Sequence, residues 1–142
     1  MKRFFVFFVI IIMAFCFSAC NDFKTPLSLE QVRESSFSCF SEHNEEMRDI
    51  ISRDLTTGKT DWCNVYDLLS NGQYEFVLYR WGFTGTNISA GILYLPDDKP
   101  NAEYEQDANN SNVYTYAVGY TDEYYLERIE TNWFYYYYEY DF

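Results

Sequence analysis

The sequence predicts an α+β domain in which an N-terminal helix, or two helices, packs on one face of an antiparallel β-meander of about five strands. Between Ser28 and Leu55, apolar residues recur at three- and four-residue spacing, as they do along one face of a helix. From Gln73 onward the chain consists of aromatic and β-branched segments separated by turn residues, which is typical of strands. Because helices precede strands without alternating, we expect the helix to cover one sheet face. A closed or sandwiched β domain with a helical appendage is the alternative fold.

The first 20 residues are predicted to lie outside this domain. Two cations, Lys2 and Arg3, precede an uninterrupted apolar run of 14 residues from Phe4 to Phe17. This run is too short to cross a bilayer comfortably, but it has the length of the apolar part of a signal peptide. Cleavage after Ala19 by an ordinary signal peptidase would need a small residue at position 17, where the chain has phenylalanine.

The residues FSAC at positions 17–20 resemble the lipobox of bacterial lipoproteins, with phenylalanine where leucine is usual. The resemblance implies transfer of a diacylglyceryl group to the thiol of Cys20, cleavage before Cys20 and acylation of the new amino group. Two or three acyl chains, such as palmitate, hold a protein stably on a membrane. We therefore expect a signal peptide at 1–19, a lipidated tether at 20–27 and a single α+β domain at 28–142.

The location that this resemblance implies is the bacterial cell envelope, with lipid anchoring to either the inner or the outer membrane. Asn21 follows the cysteine, so the aspartate that retains enterobacterial lipoproteins in the inner membrane is absent at that position. A secreted protein that is cut elsewhere and an uncleaved N-terminal anchor are the alternatives.

The helical part of the domain is predicted to begin at Ser28, which forms a capping box with Gln31, and to end before Gly58. Its apolar stripe consists of Leu29, Val32, Phe40, Met47, Ile50, Ile51 and Leu55. The serine-rich stretch ESSFSCFS at 34–41 favours a helix only weakly and could divide this part into two helices. DWCNVYDLL at 61–69 is predicted to be a further short helix, with a strand as the alternative.

The predicted strands are QYEFVLYRWGF at 73–83, NISAGILYL at 87–95, NVYTYAVGY at 112–120, YYLERIE at 124–130 and NWFYYYYEY at 132–140. The acidic stretch at 96–112 is predicted to be a long loop between the second and third of them. In the last strand, alternation puts Phe134, Tyr136, Tyr138 and Tyr140 on one face and Trp133, Tyr135, Tyr137 and Glu139 on the other. Since both faces are aromatic, we expect this strand to lie well inside the sheet.

Two cysteines, Cys39 and Cys63, belong to the predicted domain. Export would place them in an oxidising compartment, so a disulfide between them is predicted, with a stabilisation of about 3 kcal/mol for a loop of this length. A competing interpretation uses Cys39 and His43, which share a helix face at i, i+4, as metal ligands. We favour the disulfide, because the chain has only one histidine.

The charge of the chain limits its partners. All 22 acidic residues lie after position 20, where only eight lysines and arginines remain, so the exported part has a formal charge of about −14. A negative field of this size repels nucleic acid and attracts basic proteins. The sequence therefore predicts a membrane contact through the lipid anchor, no nucleic-acid partner, and a basic protein as a possible partner.

Motifs for catalysis or cofactor binding are not found. A nucleophile system would have only His43 as its base, and no G-x-S-x-G elbow or phosphate-binding loop occurs. The acidic stretch EYEQDAN lacks the glycine and the glutamate that a calcium loop requires. SAGILY at 89–94 is similar to the S-G-x-x-Y motif of the periplasmic and membrane-bound proteins that inhibit animal-type lysozyme. In this chain Ala90 is inserted between the serine and the glycine.

These observations lead to two hypotheses and no predicted cofactor, metal or catalytic residue. The first is a non-enzymatic, envelope-anchored lipoprotein that binds a protein partner, such as a basic toxin or cell-wall hydrolase that it neutralises. The second is a module that binds glycans or other small ligands on exposed tyrosines and tryptophans. An enzyme ranks third, and carboxyl groups with raised pKa values lying together in a cleft would indicate it.

Overall fold

The computed structural model describes residues 27–83, 85–119 and 121–141, without the side chain of Phe83. The predicted signal peptide, the lipidation site Cys20 and the tether up to residue 26 lie outside the described residues. Those residues form one helix and one antiparallel sheet of eight strands. The prediction of a five-stranded meander packed under one or two helices is therefore wrong, since the structure is mostly sheet.

The single helix, α1, spans Leu29–Ser52 and is not divided at its serine-rich stretch. The predicted capping box at its start is confirmed: the Gln31 N–H donates to the Ser28 Oγ, and the Ser28 N–H donates to the Gln31 Oε1. Ser36 is buried, but its hydroxyl donates to the Val32 carbonyl at 2.8 Å, so no polar group is left unsatisfied there. Within the described residues, no helix combines the length and apolarity needed to cross a membrane.

The strands are β1 Thr57–Gly58, β2 Val65–Leu68, β3 Tyr74–Phe83, β4 Thr86–Tyr94, β5 Glu105–Gln106, β6 Val113–Val118, β7 Asp122–Glu130 and β8 Trp133–Asp141, with a 3₁₀ helix at Ser70–Gly72. The five long strands correspond to the five predicted ones, β2 falls in the segment 61–69 for which a strand was the alternative, and the two-residue strands β1 and β5 were not predicted. The helix expected at 61–69 is wrong, because this segment contains β2. There Tyr66 pairs with Phe76 of β3 and places its ring in the core.

The strand order is β1-β2-β3-β4-β8-β7-β6-β5, and every pair is antiparallel. The sheet thus consists of two four-stranded meanders that meet where β4 pairs with β8. The predicted interior position of β8 is confirmed. The two edge strands, β1 and β5, have only two residues each, and short edges of this kind offer little main chain to unwanted neighbours.

Helix α1 covers one face of the sheet, which we call the helix-covered face. Phe40 of the helix contacts Trp133 with ring centroids 5.2 Å apart, and Phe37 contacts Tyr135 at 6.1 Å. Both β8 rings are fully buried, which removes on the order of 150–250 Å² from water for each. The Trp133 Nε1 and the Tyr135 hydroxyl have no hydrogen-bond partner within the described residues, which offsets part of that gain.

The opposite face of the sheet has a smaller core of its own. It consists of Leu93, Leu95, Leu126, Phe134 and Tyr136, with half-buried rings of Tyr104, Tyr114 and Tyr138 at its border. The chain from β4 to β5 crosses this face and is held there by Asp98, whose Oδ1 accepts from the Asn132 N–H at 2.6 Å and pairs with Arg128. The predicted alternation of the β8 rings between two faces is therefore confirmed.

Candidate functional site: an acidic groove beside a row of tyrosines

A row of tyrosine rings crosses the opposite face of the sheet. It runs from Tyr104 through Tyr116 and Tyr124 to Tyr138, with successive ring centroids 5.7, 5.6 and 5.1 Å apart. Tyr116, Tyr124 and Tyr138 are direct partners in the β6, β7 and β8 register, so the strand pairing itself brings the rings together. We call these four residues the tyrosine row.

The members of the tyrosine row are more accessible than the ring that precedes them on β8. That ring, Tyr136, is fully buried, whereas the four members of the row are half-buried. Burial raises the pKa of Tyr104 to about 12 and that of Tyr138 well above its ordinary value. These hydroxyls therefore stay protonated at neutral pH, and each can donate a hydrogen bond as well as accept one.

The two middle members of the tyrosine row, Tyr116 and Tyr124, form part of the wall of a groove of about 560 Å³. Its lining consists of Glu103, Glu105, Thr115, Tyr116, Ala117, Glu123 and Tyr124, and we call this set the acidic groove. Three carboxylates from two segments, Glu103 and Glu105 at β5 and Glu123 on β7, thus line one groove together with two aromatic residues. Cations are attracted by carboxylates and by the faces of aromatic rings, so the groove is chemically suited to a positively charged group.

Four arginines of the described chain form ion pairs with carboxylates outside the acidic groove. Arg33 pairs with Glu127, Arg48 with Glu130, Arg53 with Asp49, and Arg128 with Asp98. In contrast, no ion pair within the described part of the chain involves Glu103, Glu105 or Glu123. The carboxylates of the acidic groove are therefore available to a partner.

Cys39 and Cys63, the predicted disulfide pair, lie in the same apolar cluster beneath the helix, and both thiols are free in the structure. Cys63 is buried and its thiol donates to the Val65 carbonyl at 3.0 Å, while Cys39 is half-buried. Burial raises the pKa of Cys39 to about 11 and that of Cys63 to about 12. Both groups are thus weak nucleophiles at neutral pH, and the disulfide stays a prediction.

We expect the chain produced by export to be lighter than its reduced form by the mass of two hydrogen atoms, as a Cys39–Cys63 bond requires. Reduction should then lower the free energy of unfolding by about 3 kcal/mol, because the unfolded chain regains the freedom that the closed loop had removed. Intact-mass spectrometry measures the mass difference, and urea unfolding measures the loss of stability. Cys39→Ala is the control, because reduction should change neither its mass nor its free energy of unfolding. Equal masses before and after reduction would show that the bond does not form.

The alternative metal site at Cys39 and His43 is not assembled. His43 stacks on Trp62 with centroids 4.9 Å apart, and its Nδ1 lies 3.3 Å from the Glu46 Oε1. The Trp62 Nε1 donates to the other oxygen of that carboxylate at 2.7 Å. Within the described residues, no three histidine, cysteine or carboxylate side chains are placed to hold a metal ion.

One carboxyl group, Glu75, lies inside the opposite face of the sheet. Desolvation raises its pKa, although a hydrogen bond with the Tyr136 hydroxyl counteracts this. The other described carboxyl groups with a clear shift, Glu46, Asp98 and Glu127, have lowered pKa values. Two carboxyl groups with raised pKa values in one cleft would indicate an acid–base pair. The described residues contain no such pair.

The stretch SAGILY, similar to the motif of lysozyme inhibitors, lies inside β4. Ser89 is only 8% exposed, and its hydroxyl lies 3.5 Å from the Tyr136 hydroxyl. Gly91 is buried against the backbone of Phe76. In this chain the stretch therefore serves the packing of the sheet and is not presented to a partner.

The acidic groove as a set was not predicted from the sequence, although Glu103 and Glu105 belong to the stretch EYEQDAN that was tested above as a calcium loop. The sequence shows alternating tyrosines and scattered glutamates, but not the strand register that brings Tyr116 beside Tyr124 or Glu103 beside Glu123. Comparison with protein-family models, with curated proteins and with solved structures found no match for this chain.

Proposed function

We propose that this protein is a lipid-anchored protein of the bacterial envelope that binds a basic protein in its acidic groove and neutralises it, without catalysis of its own. A toxin or a cell-wall hydrolase is the class of partner that we favour. The observation that carries the proposal is that Glu103, Glu105 and Glu123, all without an ion-pair partner among the described residues, line one groove together with Tyr116 and Tyr124.

The charge of the whole chain supports the same function. With 22 acidic residues against ten basic ones, the protein attracts a basic partner at long range and accelerates encounter. Such binding weakens as salt screens the charges, over a Debye length of about 8 Å at physiological ionic strength. Tyrosine rings at the contact add rigid apolar area at a low cost in side-chain entropy.

The first experiment measures capture of basic lysozymes and basic toxins by the full chain in mild detergent, at low and at high salt. We expect Glu103→Gln/Glu105→Gln/Glu123→Gln to bind about 50-fold more weakly at low salt, at slightly under 1 kcal/mol for each carboxylate. The matched control Glu34→Gln/Glu42→Gln/Glu45→Gln changes the same net charge on the exposed side of α1. Equal losses in the two variants would show that net charge alone, and not the groove, attracts the partner.

The tyrosine row favours a second candidate function, the binding of glycans or other small ligands by stacking. Sugar rings present flat apolar faces, and half-buried tyrosines whose hydroxyls stay protonated can both stack on them and hydrogen-bond to them. Salt distinguishes the two functions. Binding by stacking should change little between low and high salt, whereas binding by the carboxylates should weaken steeply.

Anchoring is tested separately. We expect Cys20→Ala to abolish incorporation of labelled palmitate and to release the protein from the membrane fraction, because the acyl chains supply the attachment. Cys16→Ala, in the predicted signal peptide, is the matched control and should leave both properties unchanged. Membrane attachment and labelling that survive Cys20→Ala would exclude the lipoprotein assignment.

A further inference from the structure

The acidic groove lies along a part of the sheet edge that no strand covers. β6 spans six residues, Val113–Val118, but the edge strand β5 pairs only with Tyr114 and Thr115. From Tyr116 onward, β6 has β7 on one side and, within the described residues, no strand on the other. The groove begins at the point where the pairing of β5 with β6 ends.

The direction of the main chain at this edge follows from one hydrogen bond. The Val113 carbonyl accepts from the Asp107 N–H at 2.9 Å, so it points away from β7. In an antiparallel strand the N–H and C=O of one residue point to the same side, and this side alternates from residue to residue. The N–H and C=O of Ala117, four residues later, therefore point outward into the groove, and Ala117 is exposed.

The charge around this edge determines which kind of segment can pair with it. A segment lying along Tyr116–Val118 would continue in line with β5, next to Glu103 and Glu105, and would have Glu123 across β6 from it. A second copy of this protein placed edge to edge would bring two such acidic sets together, which is repulsive. A segment with lysine or arginine side chains is attracted instead.

We propose that the partner is held through an extended basic segment that adds as a short strand to the edge of β6 at Tyr116–Val118, with its cationic side chains among Glu103, Glu105 and Glu123. This inference rests on the proposed function and deepens it, since it identifies the part of the basic partner that binds. Main-chain hydrogen bonds to Ala117 hold the segment, and the carboxylates select its charge.

The probes are an alternating lysine–valine octapeptide and two N-methylated forms of it, one methylated at every valine amide and the other at every lysine amide. Both forms keep the charge of the peptide, but each loses the hydrogen-bond donors of one edge. With the full chain in nonionic detergent, we expect one methylated form to bind at least fivefold more weakly than the unmodified peptide and the other to bind equally well. The unmodified peptide should also slow hydrogen exchange at the Ala117 amide.

Two variants test the protein side. Ala117→Pro removes the outward N–H at an edge position where proline is tolerated, and we expect it to weaken peptide binding about fivefold. Ala117→Val retains the N–H and should therefore bind the peptide more tightly than Ala117→Pro does. Circular dichroism shows whether Ala117→Pro folds. If it does not, the methylated peptides and the hydrogen exchange of the Ala117 amide still test whether the peptide adds as a strand to β6.

Equal binding of all three peptides, without protection of Ala117, would overturn strand addition while leaving the basic-protein function intact. Failure of all three peptides to bind would also overturn it. The proposed function is tested by a different measurement, the capture of basic proteins and its loss in Glu103→Gln/Glu105→Gln/Glu123→Gln.

Discussion

Replacing Gly91 with alanine should abolish or nearly abolish folding, with a loss of at least about 4 kcal/mol in the free energy of unfolding. Gly91 lies in the middle of β4, opposite Val77, where β3 carries a bulge between Val77 and Tyr79. A Cβ atom at this position would lie 2.0 Å from the Phe76 carbonyl oxygen and 3.0 Å from the Leu78 nitrogen. Both are backbone atoms, so relief of the overlap would require β3 to move away from β4.

Urea unfolding followed by circular dichroism measures this effect, and Gly119→Ala is the matched control. A Cβ at Gly119 would meet no atom within 4 Å, but the residue has φ of 68°, so alanine there should cost only about 1 kcal/mol of backbone strain. If Gly91→Ala proved as stable as Gly119→Ala, that result would contradict the close contact between the β3 backbone and β4 at the bulge.

The second large effect is expected at Arg33, which joins helix α1 to strand β7. Its guanidinium donates to both oxygens of Glu127, at 2.5 and 2.7 Å, and the Glu127 side chain is only 12% exposed. The Tyr125 hydroxyl donates to the same carboxylate at 3.0 Å. Arg33→Met leaves this carboxylate half-buried without its cation, which should lower the free energy of unfolding by about 2–3 kcal/mol at pH 7.

The loss should depend on pH. The hydrogen bond from Arg33 is the main reason that the pKa of Glu127 lies below its ordinary value of 4.5. A lowered pKa contributes stability above the unfolded value, and this contribution is lost as the pH falls through the folded value. The gap between Arg33→Met and the wild type should therefore be full above pH 5 and should narrow below pH 4.

Unfolding curves at pH 7, 5 and 3.5 test this effect, with Arg53→Met as the control. Arg53 pairs with Asp49 on the surface, where both side chains are more than half exposed, so its loss should cost under about 1 kcal/mol. The double variant Arg33→Met/Glu127→Gln should recover part of the stability, because no unpaired charge remains. A loss at Arg33 that stays constant with pH would mean that packing, and not the ion pair, is responsible.

The sequence determined the features that depend on neighbours along the chain. Helix α1 begins at Ser28 because the capping box is local, and the five long strands follow from alternating aromatic and β-branched residues. The interior position of β8 could also be predicted, because a strand with rings on both faces needs cover on both sides. The charge of the chain and its lipobox resemblance belong to the same local information.

Tertiary structure alone decided the features that depend on pairing between distant segments. The two-residue strands β1 and β5 form only because a partner strand lies beside them, and β2 is a strand because it pairs with β3, where Tyr66 and Phe76 share one buried cluster. The pairing of β4 with β8 joins residues about 50 positions apart, which no local pattern encodes. The acidic groove has the same origin, since Glu103 and Glu123 line one groove only because β5, β6 and β7 are aligned in one register. Side-chain chemistry can be read along a chain, but the convergence of side chains is a property of the register.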